Sequence, residues 1–362
     1  MAGKIKVAIM GAGLSGLASA IILERHGIKP VIFEKRSRVG DRFINGEALF
    51  SILSRPVYDP VRYLAEQFQI YIKPVSHINR LEINAPNKRA EINEQIGFIN
   101  LRGRHQDSFD SQLAEQVASD IFFHSDFTYE ELLTAYTHVI VATGDARDAI
   151  KQNNYKVDRT VTIKGATVEG RFDNYSVPVW LDNDLLPNGY AYLLPFSEKE
   201  AGIAFALPEQ EAVSFHTDLM WEELHSRVCQ YYEQPLKLTD QFHINGYQIG
   251  ISRHSRIGNT FYTGNNFGSI MPFLGFGQFE AILTGVFAAL DICGKGSYEK
   301  LTEPLRKSYS RSLTLRNAFE SLTNDKYDFI VGRLNGQLGE KFFERNGSNP
   351  LKIISLLLRP FV

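Results

Sequence analysis

Apolar residues run unbroken from Val7 to Met10, and a glycine-rich turn, "GAGLSG", follows at once. From Leu14 to His26 the apolar positions recur at helical spacing, and Gly27 supplies a stop. Lys29 to Glu34 then read as a second strand. The pattern predicts a strand–turn–helix–strand unit with its glycines at the first turn. Far downstream the same signature returns: Phe261 to Thr263 read as a buried strand ending at Gly264, and "PFLGFG" leads into a helix over Gln278 to Leu290. Between the two units the period changes. Thr160 to Val168 alternate in a strand-like way, and Gly189 to Phe196 with Ala201 to Leu207 predict a hairpin around the polar turn "SEKE". Asp218 to Glu233 read as an amphipathic helix with Met220, Leu224 and Tyr231 on its packing face. After Ser297 the pattern is helical to the end, with a break at Gly336 to Gly339. No internal repeat or low-complexity segment occurs.

The first turn carries chemistry. Gly11 permits the tight turn, Gly13 admits a pyrophosphate close to the backbone, and Gly16 lets helix and strand pack together. The free N–H groups of the helix N-terminus favour phosphate. Glu34 ends the second strand about twenty residues on, where a carboxylate accepts both ribose hydroxyls. The expected ligand is a dinucleotide, NAD or FAD. NADP is disfavoured there, because Glu34 repels a 2′-phosphate. The second turn decides between the first two. Its backbone N–H groups suit the pyrimidine end of a flavin and negative charge on a reduced ring, a need that a simple NAD enzyme lacks.

With both turns in view, the chain resembles the FAD-dependent oxidoreductases of the p-hydroxybenzoate hydroxylase-like group, and within it the geranylgeranyl reductase family. Gly264 and Asn265 match the family's Gly-Asp pair, with Asn265 in place of aspartate. Pro272, Gly275 and Gly277 match the Pro-x-x-Gly-x-Gly that follows. "RGRHQDSFDSQLAEQ" resembles the segment that places an arginine near the flavin, with Arg102 as the match and Arg104 as its rival. "THVIVATGDARDAI" resembles the middle pyrophosphate motif, with Thr143 where aspartate is usual and Gly144 retained. "GYAYLLPFSEKEAGIAFAL" resembles the Tyr-x-Trp-x-Phe-Pro signature: Tyr190 and Pro195 match, Tyr192 replaces Trp and Leu194 replaces Phe. "RSRVGDRFINGEALF" lacks the cysteine that prenyl reductases often carry there, and Arg42 sits in that region.

The resemblance implies an α/β fold: a Rossmann-like FAD-binding domain of the glutathione reductase type, an inserted antiparallel β-sheet substrate domain and a helical C-terminal region. The expected boundaries are 1–75, 100–150 and 255–295 for the FAD-binding domain, 76–99 and 151–254 for the substrate domain, and 296–362 for the C-terminal region. FAD is the implied cofactor, held by Gly11, Gly13, Gly16, Glu34, Lys35, Arg42, Arg102, Thr143, Gly144, Gly264, Asn265, Pro272, Gly275 and Gly277. Tyr190, Tyr192, Phe196 and Phe273 are the expected substrate wall. The implied reaction is reduction of a C=C bond in a hydrophobic, prenyl-like substrate, with NADH or NADPH as electron donor. The same fold supports a flavin monooxygenase acting on an aromatic or other small apolar substrate, and a non-enzymatic FAD-binding protein is a third reading.

Composition narrows the partners. The net charge is −2, which argues against non-specific nucleic-acid binding. Two cysteines, Cys229 and Cys293, suggest neither a disulfide framework nor a metal cluster, and a cytoplasmic setting follows. The nine histidines show no metal spacing. His225, His243, His254 and Trp221 read as structural, and Glu130 with Glu131 as solvated helix-end charges. Lys4 and Lys6 precede an apolar run, but the glycines inside it argue against a secretory signal. The terminal "LKIISLLLRPFV" is too short to span a bilayer and reads as a docked tail or as a peripheral membrane-surface contact.

Overall fold

The apolar run Val7–Met10 becomes the middle strand of a six-stranded sheet, buried on both faces. In order, the sheet runs Arg256–Ile257, Thr260–Tyr262, His138–Val141, Val7–Met10, Val31–Phe33 and Ile121–Phe122, and all pairs but the first are parallel. A continuous apolar strand fits this position, because a parallel sheet is covered on both sides. The computed structural model describes residues 5–51, 54 and 56–334. The expected break at Gly336 to Gly339 and the apolar tail lie outside the described residues.

Two helices cover one face of this sheet together. The front helix, Leu14–Arg25, follows the first glycine turn, and the back helix, Gln278–Ile292, follows the last. They cross at Gly285. A Cβ there would collide with the backbone of Ser15, and the Ser19 hydroxyl donates to the Gly285 carbonyl at 3.0 Å and to the Ser15 carbonyl at 2.8 Å. This contact seats the first turn of the front helix against the middle of the back helix.

A seven-stranded sheet stands over the glycine turns. Its order is Lys237–Ser252, Tyr155–Glu169, Glu200–Pro208, Tyr190–Pro195, Ser176–Trp180, Arg80–Asn84 and Arg89–Ile92. The expected hairpin forms with Tyr190 opposite Ala206 and Pro195 opposite Ala201. Alternation sends Ala191 and Leu193 outward beneath the Thr217–Tyr231 helix, whose Met220, Trp221, Leu224 and Val228 are buried there. Tyr190, Tyr192 and Leu194 face inward. A third sheet joins Asn45–Phe50, Gly97–Arg102 and Ser76–Ile78, so the 76–99 segment is shared between two sheets. The Tyr298–Phe319 helix packs behind the back helix, where the Tyr298 hydroxyl donates to the Tyr262 carbonyl at 2.6 Å.

His225 contacts the Leu236 carbonyl, and Glu131 completes a capping box with Thr128; both are structural roles. Among the described residues no helix is long and apolar enough to cross a membrane, and no group of side chains has metal-ligand geometry. Cys229 and Cys293 are both free.

Two predictions follow from the helix crossing. Gly285→Ala forces the helices apart and should lower stability by about 1–3 kcal/mol, read as a shift of the urea midpoint. Gly13→Ala is the control: a Cβ at Gly13 meets nothing within 4 Å, so the midpoint should stay near wild type. The second concerns Glu280, in the first turn of the back helix and 7% exposed. Burial pushes its carboxyl up to about 7 from an ordinary 4.5. The unfolded chain gives up this proton at lower pH, so the native state loses stability as pH rises from the unfolded value through the folded one. Glu280→Gln should therefore match wild type near pH 4.5 and exceed it above pH 7 by up to about 3 kcal/mol. A stability difference that is flat across that range would refute the assignment.

Candidate functional site

The three glycines of the first turn have three separate reasons. Gly11 adopts φ +102°, and a Cβ there would strike the Ala142 carbonyl. Gly16 packs against the carbonyl of Gly11. Gly13 faces open space and caps the front helix without any side-chain hydrogen bond. Glu34 leaves the end of its strand and turns back: Oε2 accepts the Ala12 N–H at 2.8 Å and Oε1 accepts the Arg36 N–H at 2.9 Å. A carboxylate has about four acceptor positions, so two remain for a ligand. Gly11, Glu34 and Lys35 line one cleft with Phe33, Phe127, Tyr129 and Thr143.

The last turn meets the first directly. The Thr263 hydroxyl donates to Ser15 Oγ at 3.3 Å, and the Gly264 N–H donates to Thr284 Oγ1 at 2.9 Å. Gly264 and Gly275 adopt φ +57° and +69°. Gly277 caps the back helix, again without a side-chain hydrogen bond, and presses on the Ser269 carbonyl. The middle motif closes the junction. Thr143 Oγ1 donates to Asp148 at 2.9 Å and accepts from Asn266 Nδ2 at 3.0 Å. Asn265 Nδ2 donates to the Gly144 carbonyl at 2.7 Å and to the Tyr247 hydroxyl.

Gly13, Gly144, Gly264, Asn265, Pro272, Gly275 and Gly277 all line one second cavity, partly open to solvent. Val161, Ile163, Ile244 and Ile249 form its apolar roof, with Tyr190 and Tyr192 at one side. Its polar wall is Arg42, Glu47 and Arg102. Arg102 forks onto Asp110 at 2.7 and 3.1 Å and lies 3.7 Å from Glu47. Burial opposes the charge on both partners. The two carboxylates outweigh it at Arg102, whose pKa rises, and Arg102 outweighs it at Asp110, whose pKa falls. Arg104 instead donates to the Arg42 carbonyl from an exposed position, so Arg102 is the arginine of the cavity. Arg42 lacks a carboxylate of its own: its Nε is buried with no hydrogen-bond partner among the described residues. Burial and the neighbouring Arg102 charge both lower its pKa.

The cavity gathers Tyr190 and Tyr192 but leaves out the other two residues expected in the substrate wall. Phe196 fills the space over Gly46 and Gly202, and Phe273 packs edge-on against Phe319 with centroids 6.1 Å apart. Both stand behind the lining. Four positions at the site carried no sequence signal of their own. Glu47 and Gln278 are bonded to each other at the cavity wall, Tyr247 bridges to Asn265, and Asp110 holds Arg102. Only the eight-residue spacing from Arg102 to Asp110, inside a segment already singled out, hinted at any of them.

The site fits an extended dinucleotide ending in a ring. Glu34 has spare acceptors in the first cleft, Gly13 and Gly144 leave the space beside them free of any neighbour a Cβ would meet, and Arg42, which has no carboxylate of its own, lines the second. A family model described as an NAD(P)-binding Rossmann-like domain matches residues 9–48. No curated protein matches the chain. Solved structures do. A geranylgeranyl bacteriochlorophyll reductase-like protein from Thermoplasma acidophilum is 15% identical, with TM-score 0.70, over 98% of this chain and 96% of that one. A flavoprotein/dehydrogenase from Cytophaga hutchinsonii is 15% identical, with TM-score 0.63, over 99% and 100%. The halogenase PltM, in complex with phloroglucinol and FAD, is 11% identical, with TM-score 0.68, over 99% and 83%. Over nearly its whole length, therefore, the chain has the fold of the FAD-dependent oxidoreductases, the geranylgeranyl reductase-like proteins among them.

Proposed function

We propose that the protein is an FAD-dependent oxidoreductase that reduces a C=C bond of a hydrophobic, prenyl-like substrate, with NADH or NADPH as electron donor. The observation that carries this reading is the single cavity shared by Gly13 and Gly277, under an apolar sheet. Glu34 would hold the ribose, and the front-helix N–H groups beside Gly13 and Gly144 the pyrophosphate. Gly264 and Asn265 would flank the chain leading to the ring, and the back-helix N-terminus at Gly277 the pyrimidine. Bound there, the flavin supplies hydride chemistry that no side chain can.

The protein's own part is environment. The Val161, Ile163, Ile244 and Ile249 roof offers an apolar surface to an apolar chain. Tyr190 is locked by donating to the Leu274 carbonyl at 2.6 Å, and burial pushes its phenol up to about 12, so it stays neutral. Arg42 and Arg102 favour negative charge in the cavity. Within this reading the protein works in the cytoplasm or at a membrane surface.

One observation favours a second reading, hydroxylation of an aromatic substrate. Phe43 and Phe242 stack in the cavity wall with centroids 4.3 Å apart, and a fold relative was solved with the aromatic phloroglucinol. Adding NADH or NADPH to the yellow protein under nitrogen separates the two. Bleaching without substrate supports the reductase, and bleaching only with an aromatic compound supports the hydroxylase. Flavin that neither nicotinamide reduces would remove both and leave a binding role or another donor.

Gly13→Val tests the cofactor assignment itself. The position is open in the protein, so the variant should fold, yet its side chain would occupy the pyrophosphate path and flavin absorption should vanish. Glu34→Gln should weaken flavin retention by about tenfold, the loss of one charged hydrogen-bond acceptor. Normal flavin content in folded Gly13→Val would defeat the assignment.

A further inference from the structure

Tyr192 differs from its neighbour in one respect. Both tyrosines point inward from the same strand, into the cluster that includes Phe50 and Phe276. Tyr190 spends its hydroxyl on the Leu274 carbonyl. Tyr192 is 9% exposed, lines the cavity, and lies with its ring 6.0 Å from that of Phe276, next to the Gly277 cap of the back helix. Its hydroxyl has no hydrogen-bond partner among the described residues. A buried phenol is normally hydrogen-bonded. An unused donor that opens into a cavity calls for an acceptor on the ligand.

We propose that the Tyr192 hydroxyl donates to a carbonyl oxygen of the substrate, and that the substrate class is an apolar molecule whose C=C bond is conjugated to that carbonyl. This rests on the reductase reading and narrows it. A carbonyl conjugated to the C=C bond offers a site for the electron pair that hydride addition releases. Hydride from the reduced cofactor forms a C–H bond at the β-carbon, the π pair shifts to make an enolate, and its oxygen takes the negative charge. Tyr192 stabilises that oxygen by a hydrogen bond that strengthens as the charge grows. The α-carbon then takes a proton from solvent to give the saturated carbonyl compound. The cofactor is left oxidised, and a reduced nicotinamide restores it. Burial raises the pKa of the phenol, and Tyr190 and Glu47 add to the effect, so Tyr192 remains a donor.

The test uses the oxidised holoprotein and equilibrium binding, not turnover. Benzalacetone, a conjugated ketone, and phenylbutene, the same skeleton without the oxygen, are titrated while the flavin absorption is followed. Wild type should bind the ketone about tenfold more tightly, the worth of one well-placed hydrogen bond. Tyr192→Phe keeps the ring and should abolish this preference with flavin content unchanged. Equal affinities in wild type, or a preference that survives in Tyr192→Phe, would overturn the proposal and leave the cofactor assignment intact. A protein that takes up no flavin would overturn both.

Discussion

The contact between Ser15 and Gly285 governs the geometry of everything above it. Two helices from opposite ends of the chain approach so closely that no side chain fits between them. Ser19 reinforces the crossing by donating to carbonyls on both helices, its own and its partner. Because each helix begins at a glycine cap, fixing their crossing also fixes two sets of free N–H groups relative to one another. The Thr263–Ser15 and Gly264–Thr284 bonds tie the turns themselves to the same contact. A site assembled from residues 250 positions apart thus depends on one backbone approach, and the sheets only need to cover it.

Most of this was legible in the sequence, for physical reasons that differ by region. Buried parallel strands leave unbroken apolar runs, and glycine turns leave an exact spacing, so Val7–Met10 and both turns stood out. The hairpin from Tyr190 to Pro208 announced itself by two strand patterns around a polar turn. Strand ends were less certain: Lys29–Glu34 shortened to Val31–Phe33 because only the residues paired with Val7–Met10 and Ile121–Phe122 are held in the ladder. Side-chain networks were not legible. Glu47 meets Gln278 across 231 positions, and no local pattern encodes such a pair. The same holds for Phe196 and Phe273. An aromatic in a signature segment can line a cavity or support the lining, and which it does depends on whether a glycine such as Gly46 opens a space behind it.

The departures at Thr143 and Asn265 have a common structural logic. An aspartate at either place would bring a negative charge to the junction of the two clefts. Thr143 already sits beside Asp148, and Asn265 donates to a carbonyl oxygen. A carboxylate cannot donate to the Gly144 carbonyl, whereas an amide can. The neutral residues therefore let the turn, the middle motif and Tyr247 of the covering sheet bond to one another. That cross-link ties the roof to the dinucleotide-binding core at the point where the clefts meet.

Charge in the second cleft follows a similar accounting of partners. Asp110 commits both oxygens to Arg102 and accepts the Gly103 N–H as well. Glu47 is shared among Arg102, Asn45 and Gln278. Nothing anionic remains for Arg42, which stays buried against Phe43 with its guanidinium over the ring at 4.6 Å. Within the group of Arg42, Arg102, Glu47 and Asp110 the charges cancel on paper, but their arrangement does not: the carboxylates are consumed by Arg102 and its neighbours, and Arg42 is left lining the cavity. Together with the back-helix N-terminus, whose Gly277 cap lends no side-chain hydrogen bond, this arrangement favours negative charge in the cleft. Under the proposed function, a ring held there would draw on that same local field when it is reduced.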